Sequence, residues 1–191
     1  MEDWKYVIAV TNRKLTRYPY LEQIERICYQ KPKAVIVREK DLTEEEYFQL
    51  SSEVSKICEK HGILCIYHTF LQAAVKAETR AIHLPLSLLK DWNGKKPLEK
   101  FEIIGASIHS VTEAREAQKL GASYITAGHI YQTDCKRGVA PRGVDFLKEI
   151  CRAVSIPVYA IGGIHVAGGQ LEEVMNAGAA GGCVMSEAMR V

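Results

Sequence analysis

The stretch EIIGASIHSVTEAREAQKLGASYITAGHI, Glu102 to Ile130, contains a strand, a helix and a second strand. In VTEAREAQKLG the apolar residues return at three- and four-residue intervals, as on one face of a helix, whereas EIIGASI and SYITAGHI are the short β-rich runs of strands. A strand, a helix and a strand in that order bring the chain back to the same end of a sheet, so the two strands lie parallel and the crossover is right-handed.

The same unit recurs along the chain. Further strands are expected in KYVIAVT, AVIVRE, ILCIYH, RAIHLP, PVYAIGG and GGCVMS, and further helices in TEEEYFQLSSEVSKICEK and GVDFLKEICRAV. Eight strands with crossovers predict a closed (β/α)8 TIM barrel, in an α/β chain forming a single domain over 1–191. The barrel must be compact, because 191 residues falls just under the roughly 200 at the lower end for this fold. LSLLKDWNGKKPLEK leaves room only for a short helix broken by Gly94 and Pro97, and the sequence stops at SEAMRV, so the last helix is expected to be truncated or absent. A doubly wound open sheet is the rival architecture, weakened in its dinucleotide-binding form by the lack of G-x-G-x-x-G after the first strand.

Composition narrows the function classes. With 47% hydrophobic and 25% charged residues, and no apolar run near the ~20 residues a spanning helix needs, the chain reads as globular and not membrane-bound. MEDWKYVIAV lacks the features of a secretory signal, and a cytoplasmic location is expected. A net charge of +2 from dispersed basic residues argues against a nucleic-acid or membrane-surface partner. The six cysteines, Cys28, Cys58, Cys65, Cys135, Cys151 and Cys183, form no C-x-x-C pair and read as reduced thiols, not zinc ligands.

In a barrel, chemistry gathers where strands run into the following loops, and the two-residue period of a strand sorts side chains by face. In AVIVREK, Ile36, Arg38 and Lys40 share one face and Val35, Val37 and Glu39 the other. In IIGASIHS, Ile104, Ala106 and Ile108 form the helix-covered set and leave Ser107 facing inward with Gly105 and His109. Taken alone, Lys40 equally suits a solvated or paired charge, His61 a cation at a helix end, and His83 and His109 hydrogen-bonded interior histidines. His165 lies in a Gly-rich loop and is expected to be exposed. Gly162 and Gly163 end the seventh strand, and Ser186 is placed at a helix start after the eighth. Bare amides there suit a phosphate, although tight turns with positive φ would demand the same glycines.

VREK, IGASIHSVTEA, GASYITAGHIYQTDCKRG, IPVYAIGGI and AGAAGGCVMS stand in the order of the thiamine phosphate synthase superfamily, which the chain resembles over most of its length. The resemblance implies a (β/α)8 barrel and one of two activities. The synthase joins a pyrimidine diphosphate to a thiazole phosphate with Mg2+ on the departing pyrophosphate. The TenI-type thiazole tautomerase aromatises a 2-carboxythiazole ylidene phosphate without a metal. Synthases resemble one another in an Asn-Asp pair ending strand three and a G-Q-x-D after strand four; here those places read YHT, with His68 and Thr69, and HLPLSLL, with Ser87 and Leu88. The family's Gln before the arginine of strand two is Ile36, and the proline after the glycine ending strand six is His129, as in the tautomerase branch.

The resemblance therefore implies a cofactor-free, metal-free isomerase with His129 as acid/base catalyst, histidine being able to take and give a proton near neutrality. It places the thiazole phosphate on Gly162, Gly163, Met185 and Ser186, turns Thr133 and Lys136 to the ligand, and aligns Arg38, Lys40 and Ser107 with the synthase's pyrimidine-diphosphate contacts. In a tautomerase those three would bind the ring carboxylate or be remnants. A homo-oligomer such as a dimer is expected. The other readings are a synthase with altered metal ligands and a non-catalytic relative that keeps the phosphate site.

Overall fold

The computed structural model describes residues 2–133 and 138–191. Its strands are β1 (Val7–Val10), β2 (Ala34–Val37), β3 (Leu64–His68), β4 (Ala81–Pro85), β5 (Ile103–Ile108), β6 (Tyr124–Gly128), β7 (Val158–Ile161) and β8 (Gly181–Val184), closed into a barrel in that order. Pairing is parallel, for example Val35 against Cys65 and Ser107 against Thr126. The helices are α1 (Tyr20–Tyr29), α2 (Glu44–Lys60), α3 (Leu71–Lys76), α4 (Leu86–Trp92), α5 (Val111–Lys119), α6 (Gly143–Ala153) and α7 (Gln170–Asn176). The barrel expected from sequence is therefore found, and the open sheet is excluded. No described helix is long and apolar enough to cross a membrane. Two compact units make up the chain: Met1–His83 with Gly94–Ile103 and Met185–Val191, and Leu84–Asn93 with Ile104–Val184.

In the first unit, α2 starts where its capping box dictates. Glu46 N donates to Thr43 Oγ1, and Thr43 N donates to the Glu46 carboxylate, so two otherwise orphaned amides are satisfied. The helix lays Tyr47, fully buried, against the sheet, and its hydroxyl joins two strands: it donates to Val37 O at 2.6 Å and accepts from His68 N at 2.7 Å. The ends of β2 and β3 are thereby fixed to one side chain. The buried Gln23 of α1 donates to Ala188 O at 3.0 Å and Val191 O at 3.2 Å, so the chain's last residues are tied to α1. After β8 comes a 3-10 turn, Ala188–Arg190.

In the second unit, Ala106, Ile108, Ile125, Ala127 and Ala160 are all but fully buried, on the strand faces covered by helices such as α5 and α6. The alternate face of β5 and β6 carries Ser107 and Thr126, whose hydroxyls lie 3.4 Å apart. Ser110 caps α5 by accepting from Glu113 N at 3.1 Å.

The bridge at Tyr47 predicts that Tyr47→Phe, which keeps the ring and removes both hydrogen bonds, destabilises the protein by about 1–3 kcal/mol. Urea denaturation should show a lower midpoint, while Tyr29→Phe, at a residue 64% exposed, should leave it in place.

Candidate active site

At the strand ends of the first unit the charges are sorted. Arg38 is half-buried and Lys40 exposed, and no carboxylate pairs with either among the described residues. Desolvation and the charge of Arg38 both lower the Lys40 pKa. Glu39, between them, is 3% exposed and turned the other way, onto Thr11 and Arg13. His68 and His83, both buried, stack with ring centres 5.6 Å apart, and Thr69 Oγ1 lies 2.6 Å from His68 Nδ1. Burial pushes the His83 pKa down to about 3. It also holds that of His68 well below the ordinary histidine value, aided by His83, Arg38 and Lys40. The pair is neutral at neutral pH.

In the second unit His129 follows the last residue of β6 and is 4% exposed. The Gly128–His129 peptide is cis. Its backbone is held on both sides: Ile130 N donates to Ile161 O and Tyr131 N to Gly162 O, while Arg142 N and Gly143 N donate to the carbonyls of His129 and Ile130. Gly162 and Gly163 have φ of +101° and +69°, where L side chains are strained. A Cβ at Gly162 would overlap the Cβ of His129, and one at Gly163 would overlap Gln132 O. The His129 ring sits with Nε2 3.3 Å from Val139 O, and its Nδ1 is buried without a hydrogen-bond partner among the described residues. A carbonyl oxygen accepts and never donates, so this contact assigns the proton of the neutral ring to Nε2 and leaves the lone pair on Nδ1.

The remaining expected residues divide. Ser107 and Thr133 are half-buried, as are Met185 and Ser186. Ser186 does not start a helix: it stands two residues before the three-residue 3-10 turn, which Glu187 precedes. His109 is not an interior histidine. Its side chain is half exposed, and its Nδ1 lies 3.5 Å from the Glu113 carboxylate because strand β5 has already ended at Ile108. His165 is exposed, as expected. Lys136 and Cys135 lie outside the described residues. The period of β2 put Glu39 on the helix-covered face with Val35 and Val37, but its ties to Thr11 and Arg13, 28 and 26 residues away, had no local signal. Nor did the pairing of Val139 with His129.

The sequence model described as thiamine monophosphate synthase (TMP-TENI) matches residues 7–188. The chain belongs to that family. A thiamine-phosphate synthase of Coprothermobacter proteolyticus is 33% identical over 179 residues, covering 93% of this chain and 84% of the relative. Thiamine-phosphate synthase 2 of Streptococcus pneumoniae is 30% identical over 171 residues, with 90% and 80% covered. The structure of a thiamine phosphate pyrophosphorylase from Pyrococcus furiosus superposes with a TM-score of 0.81 at 26% identity, covering 98% of this chain and 88% of that one. These family relatives carry the synthase name, which is the alternative reading of the sequence; none carries the tautomerase name.

The magnesium that the synthase reading implies can be tested against the donors present. Mg2+ is a hard ion that takes oxygen ligands, usually carboxylates. At the places the resemblance assigns to its ligands stand His68, whose Nδ1 is already engaged by Thr69 and whose charged neighbours are Arg38 and Lys40, and the exposed Ser87 with Leu88. Among the described residues no group of three or more His, Cys, Asp or Glu could hold a metal ion. These residues do not fit magnesium.

The neutral histidine pair makes stability depend on pH. Both folded-state pKa values lie below the unfolded value of about 6.5, so acid protonates the unfolded chain first. Stability is complete above that value and falls as the pH drops towards 3, by about 1.4 kcal/mol per pH unit for each histidine that stays neutral. Urea denaturation between pH 7.5 and 4.5 should show this decline, with a shallower slope for His83→Gln.

Proposed function

We propose that this member of the thiamine monophosphate synthase family is a thiazole tautomerase, which aromatises a 2-carboxythiazole ylidene ethyl phosphate by proton transfer on one histidine. The reading rests above all on the state of His129. Its Nε2 lies 3.3 Å from Val139 O and its Nδ1 is buried with no partner among the described residues, which supports the reading of Nδ1 as the base.

In the reaction, Nδ1 of His129 takes the proton from C2 of the ring, and the electron pair of that C–H bond enters the ring as the exocyclic double bond breaks. The resulting imidazolium keeps its contact with Val139 O and returns the proton to the exocyclic carbon. Aromaticity drives the sequence, and no electron acceptor or metal is required. Arg38 and Lys40, uncompensated among the described residues, are assigned to the ring carboxylate, as is Ser107. The phosphate is assigned to the amides of Gly162, Gly163, Met185 and Ser186, and Thr133 and Lys136 to the rest of the ligand. The poor fit of the donor set to Mg2+ supports the tautomerase over the synthase. The synthase is the second reading because the family relatives bear that name.

The two separate in one assay. Purified protein is mixed with the ylidene phosphate, and formation of the aromatic thiazole is followed by ultraviolet absorbance with and without EDTA. Turnover should be indifferent to EDTA and fall about 10²–10⁴-fold in His129→Ala. Magnesium-dependent release of pyrophosphate from a pyrimidine diphosphate and thiazole phosphate would establish the synthase instead. Tight phosphate binding without turnover of either substrate would identify a non-catalytic relative.

A further inference from the structure

The segment Arg38-Glu39-Lys40-Asp41 alternates charge at the end of β2, where the two-residue period sends Arg38 and Lys40 to one face and Glu39 to the other. The acidic side chains are held there by cations other than these two. Glu39 accepts from Thr11 Oγ1 at 2.8 Å, from Arg13 N at 3.0 and 3.2 Å, and from Arg13 Nη1 at 3.2 Å. Asp41 takes the same guanidinium in two hydrogen bonds of 2.8 and 3.0 Å, and Lys14 Nζ at 2.8 Å. Both acidic side chains are therefore occupied by cations of the loop after β1. Arg38 and Lys40 make no ion pair among the described residues, although each is next in sequence to a carboxylate.

Thr11 couples the two sets. Fully buried, it donates its hydroxyl to Glu39 and accepts at the same oxygen from Arg38 N at 3.0 Å, while its own amide donates to Ile36 O at 2.9 Å. The backbone of Arg38 is thus fixed by the residue that turns Glu39 away. An Arg fork on two carboxylates is more directional than a Lys contact, which suits Arg13 to this task.

We propose that Thr11, Arg13 and Lys14 form a charge-sorting clamp that holds Glu39 and Asp41 away from Arg38 and Lys40, so that these two cations remain open to a substrate anion. The three clamp residues are positioning residues. The inference rests on the assignment of Arg38 and Lys40 to an anion under the proposed function, and not on which reaction the anion undergoes.

The test is calorimetric titration of the full chain with inorganic pyrophosphate at low ionic strength, without magnesium. Arg38→Ala should weaken binding by about tenfold or more. Arg13→Met, which keeps the aliphatic stem and frees Asp41 to compete for Lys40, should weaken it by about threefold, with the difference shrinking as salt is added. Adding Asp41→Asn to Arg13→Met should restore the affinity, a rescue that a loop merely damaged by the first change would not show. Lys14→Met, at a side chain 68% exposed, offers the same direction of change with little bearing on folding. Unaltered binding in both Arg13→Met and Lys14→Met, or a loss in Arg13→Met that Asp41→Asn does not restore, overturns the clamp. Wild-type affinity in Arg38→Ala would instead overturn the anion subsite on which it rests.

Discussion

The close approach of the ends of β6 and β7 is the constraint on which the site depends. It exists because residues 162 and 163 have no side chains: a Cβ on either would occupy space taken by His129, Tyr131 or Gln132. Positive φ adds a second reason, since a non-glycine residue held there costs of the order of 1–3 kcal/mol. With the strands this close, Ile130 and Tyr131 can donate to Ile161 and Gly162, and the loop at Arg142 and Gly143 closes on the opposite side. His129 is then fixed through its backbone before any contact of its ring is counted. The same glycines that suggested a phosphate site in the sequence thus have a structural duty towards the histidine.

The first unit solves a different problem. Cations brought together at strand ends repel each other, and nearby carboxylates would collapse onto them. Here the histidines beside Arg38 and Lys40 stay neutral through burial, and the carboxylates are tied to a second set of cations. Among the described residues the result is positive charge without a carboxylate cage, an environment that favours an anion over a divalent metal. Tyr47 supplies the rigidity, since one hydroxyl holds both Val37, next to Arg38, and His68.

The architecture was legible because it rests on local periodicity. All eight strand segments contain a strand, α2 starts immediately after its Thr43 cap, and LSLLKDWNGKKPLEK yields the short α4 and a 3-10 turn. Ends were less so. SYITAGHI gives a strand only to Gly128, because the carbonyls of His129 and Ile130 accept from the loop at Arg142 and Gly143. The place of Ser186 was misread for a similar reason, the chain forming only one turn of 3-10 helix beyond it. At the site, residue types could be named but not their partners. That Glu39 shares a face with Val35 and Val37 stems from a period of two, whereas its bond to Thr11 crosses 28 residues. The tautomer of His129 depends on Val139, ten residues on, and nothing in the intervening sequence encodes that contact.

On the proposed reading, proton transfer turns on which nitrogen of His129 carries the proton. Nitrogen-15 NMR of histidine-labelled protein above pH 7, with His129→Gln used to assign the signal, reads this directly. The structure predicts a protonated, pyrrole-like Nε2 and a bare, pyridine-like Nδ1. A His129 spectrum with the proton on Nδ1 would contradict it, because the proposed base would then have no lone pair on that nitrogen to offer.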